Sequence, residues 1–177
     1  GSDGTTLAEN TVGVPSFAGV MSLVMRRVLE RFPPNTWKPG DIGLTNDPWI
    51  NTGHLPDTTV ICPIFHKGRL VAFTGNTAHK ADIGGGGYAA DATEIYEEGL
   101  RIPICKLYTE GHINELLVEL IRNNVRVSES VLGDLHAQVA AGHVCAQRVR
   151  DFLDEQGITE LNTRYSPITC PGACGLL

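Results

Sequence analysis

A repeating pattern of apolar residues near the start of the chain predicts an amphipathic helix. The stretch "SFAGVMSLVMRRVLERF" (16–32) spaces its apolar side chains three or four residues apart, which places them on one stripe of a helix. These side chains belong to Phe17, Val20, Met21, Val24, Val28 and Phe32. Ser16 is a suitable N-cap, and the pair Pro33 and Pro34 predicts the end of the helix.

Two runs rich in β-branched and aromatic residues predict an antiparallel hairpin. They are "TTVICPIF" (58–65) and "RLVAFTGNTA" (69–78), and the glycine-containing link "HKG" (66–68) joins them. Pro63 cannot donate a backbone hydrogen bond, so we expect the first strand to be an edge strand or to carry a bulge. A further short strand is predicted at "DIGLTN" (41–46).

The pattern in the second half of the chain predicts mainly helices. A short helical turn is predicted at 94–99, followed by helices over about 113–125 and 128–156, with Gly157 as the C-terminal signal. The glycine-rich stretch 82–91 lacks the Gly-Lys-Ser/Thr sequence of a phosphate loop, and we expect a mobile loop beside a site.

Together these elements predict an α+β fold in which flanking helices cover an antiparallel β-hairpin core. We expect one domain over 1–157 and an irregular tail over 158–177, because the tail shows no periodicity. The chain of 177 residues has a normal length for one domain.

Composition narrows the possible partners and the compartment. The net charge is −6 and no basic run is present, so neither nucleic acid nor an anionic membrane is an expected partner. No apolar stretch approaches the ~20 residues of a membrane-spanning helix. The five cysteines are irregularly spaced, which indicates free thiols in a reducing compartment, and we expect a cytoplasmic protein.

The short stretch "TGHLPD" (52–57) raises the possibility of a metal site. If Phe65 lies opposite Arg69 in the hairpin, Asp57 pairs with Thr77, and His79 lies on the same face as a diagonal neighbour of Asp57. His54, in a turn between glycine and proline, can approach both. Two imidazoles and one carboxylate suit Zn²⁺, Mn²⁺ or Fe²⁺ with positions left open for water or substrate.

Two further carboxylates follow nearby motifs. Asp47 lies in "NDP" and Asp82 in "HKAD", and both are candidates for a catalytic base or for orienting the metal-binding histidines. The competing interpretation is an ordinary polar turn, in which His54 and Asp57 cap local backbone groups. We expect His66 to be solvated in the hairpin turn. The other three histidines are expected in helical regions, on the surface or at an interface: His112, His136 and His143.

The residues around these motifs carry a family resemblance. The stretch "GDIGLTNDPWINTGHLPDTTVICPIFHKGRLVAFTGNTAHKADIGG" resembles the core of the hydantoinase B/oxoprolinase family, and "DATEIYEEGLRIP", "LIRNNVR" and "GDLHAQVAA" continue the likeness. That family includes B-type subunits of ATP-dependent enzymes that open hydantoins and lactams, and α subunits of acetone-type carboxylases. The resemblance implies a metal site on the "GHxxD" stretch and a later histidine, which are His54, Asp57 and His79 here.

The resemblance also implies a partner and two substrate classes. Family subunits work with a hydantoinase A-like subunit of the actin-like ATPase fold, which uses the ATP, on small cyclic amides or ketones. Many hydantoinase members show a second histidine where this chain has Lys80, a departure that resembles the carboxylases. Family subunits are several times longer than this chain, so it resembles a fragment.

Three functional expectations follow. The first is the metal-containing fragment of a hydantoinase/oxoprolinase-type amidohydrolase that acts on cyclic amides. The alternative enzyme is an acetone-type ATP-dependent carboxylase. The third is a protein without catalysis, either an assembly module or a truncated inactive product. In every case we expect the isolated fragment to be inactive.

Overall fold

The computed structural model describes residues 1–9, 19–86, 92–159 and 161. The elements follow in the order α1 (Val20–Arg31), β1 (Ile42–Thr45), β2 (Asp57–His66), β3 (Arg69–His79), α2 (Ile95–Glu98), β4 (Cys105–Thr109), β5 (His112–Ile113), α3 (Glu115–Asn124) and α4 (Ser128–Glu155), with a 3₁₀ turn at Pro34–Thr36. Helices therefore surround an antiparallel sheet, which confirms the predicted α+β class.

The five strands form one antiparallel sheet in the order β3-β2-β1-β4-β5. The predicted hairpin is present, but its turn contains only Lys67 and Gly68, because His66 still pairs with Arg69. Both turn residues have positive φ, of 48° and 79°, as a two-residue type I′ turn requires. The expectation of a three-residue link with His66 in the turn is wrong.

The register of the hairpin differs from the predicted one by two residues at the far end. Asp57 pairs directly with His79, not with Thr77, and the pairing shifts between Ile64 and Phe65. Because side chains alternate with a period of two, this error leaves Asp57 and His79 on the same face. The shift lies next to Pro63, which agrees with the expected bulge. The alternative of an edge strand is wrong, since β2 lies between β1 and β3.

Helices cover both faces of the sheet. On one face, Val60 and Cys62 of β2 join a core with α3 and α4. Gly142 brings α4 close to the sheet there, since a Cβ on it would lie 2.4 Å from the Cys62 sulfur. On the opposite face, Ile61 packs with Val24, Met25 and Val28 of α1. Asp57 and His79 share the α1 face by alternation, at the end of the strands away from the hairpin turn.

The helix ends follow local signals. α1 ends at Arg31, before Pro33, as predicted, whereas the proposed cap Ser16 lies outside the described residues. Asn114 caps α3 by accepting a hydrogen bond from the Leu117 N–H. Beyond α4, Gly157 has a φ of 62° and the Ile158 N–H bonds to the Leu153 carbonyl at 3.0 Å, a Schellman motif.

The sequence pattern missed β4 and β5, which complete the sheet beside β1. Most of the predicted irregular tail, except 158, 159 and 161, lies outside the described residues. Among the residues that the structure describes, no helix is both long and apolar enough to cross a membrane.

Candidate metal centre

Asp57 is the central residue of the candidate site. It begins β2 and its side chain is only 2% exposed, so the chain buries a carboxylate at the end of the sheet. A buried carboxylate requires strong polar partners, because its transfer from water is costly. Here both oxygens have them: Oδ2 lies 3.0 Å from His54 Nε2, and Oδ1 lies 2.9 Å from His79 Nδ1.

The two imidazoles lie side by side over this carboxylate. Their ring centroids are 5.1 Å apart and the rings are tilted by 30°. The His54 and His79 side chains are 36% and 40% exposed, so both rings face solvent on one side. His79 comes from the end of β3, whereas His54 comes from the loop between β1 and β2, as the sequence predicted.

Polar side chains of the same loop hold Asp57 in place. Thr52 Oγ1 donates to Asp57 Oδ2 at 2.5 Å, and Asn51 Nδ2 donates to the Asp57 backbone carbonyl at 2.9 Å. Asn51 Oδ1 in turn accepts from the hydroxyl of buried Thr59 at 3.0 Å, and Thr59 bonds Thr77 at 2.7 Å. Sequence reasoning missed Asn51 and Thr52, although short polar residues beside a ligand motif were a visible signal.

The donor set fits a divalent transition metal. One ligand atom from each of His54, Asp57 and His79 lies within 4.8 Å of the others. Ligand atoms bound at about 2.0–2.2 Å in the tetrahedral geometry of a Zn²⁺ site are about 3.3–3.6 Å apart, so side-chain rotations that draw the three ligand atoms together by up to about 1.5 Å would complete coordination. Two imidazoles and a carboxylate are also the ligand chemistry of Fe²⁺ and Mn²⁺ sites. Exposed faces of both rings leave access for water or substrate.

Asp47 lies at the start of the loop between β1 and β2 and forms an ion pair with an arginine. Its side chain is 14% exposed, and Oδ2 lies 2.8 Å from Arg101. Oδ1 accepts from the Trp49 N–H at 3.2 Å, which closes a local turn. Asp47 is not among the three residues whose ligand atoms converge.

Asp82 connects two distant loops. Its carboxylate accepts hydrogen bonds from the Gly84 N–H at 2.9 Å, from the Arg126 N–H, and from the Arg126 guanidinium at 2.9 Å. Burial would raise the pKa of Asp82, but the N–H groups of Arg126 and Gly84 and the charge of Arg126 outweigh it and lower the pKa below 3.8. The predicted mobile loop begins here, and its residues 87–91 lie outside the described part.

The lowered pKa predicts an acid-sensitive contribution of Asp82 to stability. A carboxyl whose folded pKa is depressed stabilises the fold above its unfolded pKa, and this contribution is lost as the pH falls through the folded value. We expect Asp82→Asn to lower the free energy of unfolding by about 1 kcal/mol at pH 7. Urea denaturation should show this difference shrinking below pH 3.8. A difference that stays constant at lower pH would contradict the assignment.

The remaining histidines and Lys80 contribute no ligand atom to this cluster in the described part of the chain. The expectation for His66 is wrong: it is 6% exposed and bonds Asp154 of α4 at 2.9 Å. The other three are exposed as predicted, although His112 lies in a strand and not in a helix: His112, His136 and His143. Lys80 is 1% exposed, and burial lowers its pKa to about 8 against the opposing charge of Asp134.

Comparison with known proteins identifies the family of this chain. The family model described as hydantoinase B/oxoprolinase matches residues 1–168. The chain belongs to this family. It is 39% identical over 125 residues to caprolactamase subunit beta of Pseudomonas jessenii, covering 69% of this chain and 22% of that protein. It is 34% identical over 155 residues to the 5-oxoprolinase of Dictyostelium discoideum, covering 86% of this chain and 12% of that protein.

Two solved structures share the fold. The ATP-dependent caprolactamase from Pseudomonas jessenii has a TM-score of 0.75 at 36% identity, over 81% of this chain and 25% of that chain. A nucleotide-free acetone carboxylase has a TM-score of 0.70 at 22% identity, over 79% and 19%. This hydantoinase B-family chain thus spans at most a quarter of the length of each protein named in these comparisons.

Proposed function

We propose that this chain contributes the metal-binding part of an ATP-dependent amidohydrolase of the hydantoinase/oxoprolinase type, acting on small cyclic amides. The observation that carries the proposal is the convergence of His54, Asp57 and His79 at one end of the hairpin. Support for the substrate class comes from the relatives, whose names include caprolactamase and 5-oxoprolinase.

The residues divide into ligands and supporting groups. A Zn²⁺, Mn²⁺ or Fe²⁺ ion bound to His54, Asp57 and His79 would supply Lewis-acid polarisation of a carbonyl or of water. Thr52 and Asn51 keep the Asp57 carboxylate aimed at the two rings.

Ring opening adds water across the amide bond, with hydroxide to carbon and a proton to nitrogen, so a group must take the proton of water. We propose Asp47 and Asp82 as the two candidates. Each forms an ion pair with an arginine: Asp47 with Arg101, and Asp82 with Arg126. Either must release part of that contact to act. Asp47→Asn and Asp82→Asn would distinguish the two candidates, because only substitution of the true proton acceptor should shift the pH profile of turnover.

The proposed partner is a hydantoinase A-like ATPase subunit. We propose that this partner uses the ATP, as the family resemblance implies. The name caprolactamase subunit beta is consistent with a multi-subunit enzyme. We also propose a cytoplasmic location, because the three cysteines in the described part, Cys62, Cys105 and Cys145, are free thiols.

A carboxylase of the acetone type is the second candidate. The observation in its favour is Lys80, which stands where many hydantoinase members have a second histidine. Its side chain is buried and donates to Gln138 of α4, so it adds no ligand to the cluster. In this alternative the same metal ligands would serve carboxylation of a small ketone.

The test uses the whole subunit that contains this segment, together with its ATPase partner. We expect ATP-dependent opening of a lactam, hydantoin or 5-oxoproline, and a loss of more than about 100-fold in His79→Ala, because even outer-shell changes at metal sites cost 10–100-fold. His143→Ala, on an exposed face of α4, is the matched control. Carboxylation of acetone without ring opening would favour the second candidate instead.

We expect the isolated chain to show no turnover with ATP and metal, since it lacks the proposed ATPase partner. Turnover by the chain alone would contradict this expectation. An active whole complex that is insensitive to His79→Ala would favour a role in assembly without metal. A whole subunit that binds neither metal nor partner would favour an inactive product.

A further inference from the structure

A buried amide lies behind the candidate metal centre, on the other face of the sheet. Gln138 is in the middle of α4, within the "GDLHAQVAA" stretch, and is only 6% exposed. Its neighbours along the buried stripe of α4, Leu135 and Val139, are apolar and pack in the main core. A glutamine at such a position is costly unless its amide is fully hydrogen-bonded.

The Gln138 side chain forms hydrogen bonds to β2, to β3 and to Lys80, which directly follows β3. Oε1 accepts from Lys80 Nζ at 2.5 Å. Nε2 donates to the Thr58 carbonyl at 2.9 Å and to Asn76 Oδ1 at 2.9 Å, and it lies 3.3 Å from the Asn76 carbonyl. Because an ammonium only donates and a carbonyl only accepts, these partners determine the orientation of the amide.

These contacts lie beside Asp57 and His79 in the chain. Thr58 follows Asp57, and Lys80 follows His79. The Lys80 N–H donates to the carbonyl of Pro56, which precedes Asp57, at 2.8 Å. Gln138 also receives a hydrogen bond from Asn76 on its own backbone carbonyl, at 3.0 Å. A single helix residue is therefore bonded to both strands within three residues of a ligand.

The hydrogen bonds of Gln138 lie at the ends of β2 and β3 that carry Asp57 and His79. Hairpin ends fray most easily, because they have the fewest neighbouring hydrogen bonds. The His54 and His79 side chains are each more than a third exposed, so core packing alone does not hold them. The relative position of the ligands then depends on how firmly the backbones of β2 and β3 are held together at Asp57 and His79.

We propose that Gln138 is a positioning residue for the metal centre, holding the ends of β2 and β3 so that Asp57 and His79 stay opposite each other. The proposal rests on the proposed function, since it concerns the same metal ligands. Gln138 is not itself one of the three ligands; it acts through its hydrogen bonds to Thr58, Asn76 and Lys80.

Metal titration of Gln138 variants tests this directly. We expect Gln138→Leu to raise the Kd for Zn²⁺ by about tenfold or more, which is the range for groups that orient metal ligands. Gln138→Glu is the second variant: it keeps an oxygen for Lys80, which favours folding, but loses both N–H donors, so we expect a similar loss. Gln147→Leu is the matched control, because Gln147 is exposed on the same helix and bonds only to other α4 side chains. A folded Gln138 variant with wild-type Kd would overturn the proposal.

A second readout does not depend on metal. In the metal-free protein, we expect Gln138→Glu to shift the imidazole NMR signals of His54 and His79 and to speed amide exchange at Lys80, whereas Gln147→Leu leaves both unchanged. If the wild type binds no Zn²⁺ but these signals change, the proposed function fails and the positioning role stands. If these signals stay unchanged in the Gln138 variants, the positioning role is refuted whatever the wild type binds.

Discussion

Alanine at His54 or His79 is expected to remove bound metal from the protein. The wild type should hold about one divalent transition ion per chain after loading and desalting, by the ligand count of the site. Each substitution takes away one of three protein ligands, and the buried Asp57 carboxylate cannot replace it. We expect the metal content of either variant to fall close to zero in elemental analysis, with a Kd raised by more than about 100-fold.

The controls for this experiment come from histidines outside the cluster. His136→Ala and His143→Ala remove exposed imidazoles from α4 and should leave the metal content at the wild-type value. Asp57→Asn keeps the size of the side chain but removes its charge, and should lose metal as the histidine variants do. Equal metal content in all these variants would refute the assignment of the three ligands and favour an ordinary polar turn.

Asp in place of Val24 is expected to give the largest loss of stability. Val24 is 0% exposed in the core between α1 and the sheet, where it packs with Val28 and Ile61. The new carboxylate would be buried without a partner charge, so we expect a loss of about 3 kcal/mol or more in the free energy of unfolding. The midpoint of urea denaturation measures this loss.

The neighbouring residue supplies the control. Leu23 is 42% exposed on the same helix, so Leu23→Asp introduces the same carboxylate where water can solvate the charge. We expect this variant to stay within about 0.5 kcal/mol of the wild type, as surface substitutions usually do. Similar urea midpoints for the two variants would show that the packing of α1 against the sheet contributes little to stability.

Several features were predictable because their cause is local. The apolar stripe of α1, the two hairpin strands and the end of α4 at Gly157 all depend on residues within a few positions of each other. The prediction that Asp57 and His79 lie on one face is correct although the predicted register is wrong, since an error of two residues preserves the face. A shift of one residue would have separated them.

The features that the sequence analysis did not predict depend on residues that are far apart in the chain. The local sequence around His66 predicts a turn, yet the His66 side chain forms a hydrogen bond with Asp154, which lies 88 positions away at the end of α4. β4 and β5 lack the strong β-former pattern of the hairpin, and their place is set by pairing beside β1. Propensity carries little information about such pairings, because the gain comes from surface that only the assembled sheet buries.

The sequence by itself therefore determined the helices, the hairpin and the residue types able to bind a metal, since each follows from side-chain periodicity and chemistry. Only the tertiary structure decided which groups support the ligands. Asn51 and Thr52 approach Asp57 because the loop folds back on its strand. Gln138 reaches both strand ends because α4 crosses the back of the sheet, 80 residues after Thr58. Long-range contacts of this kind depend on how whole elements pack, which no local pattern specifies.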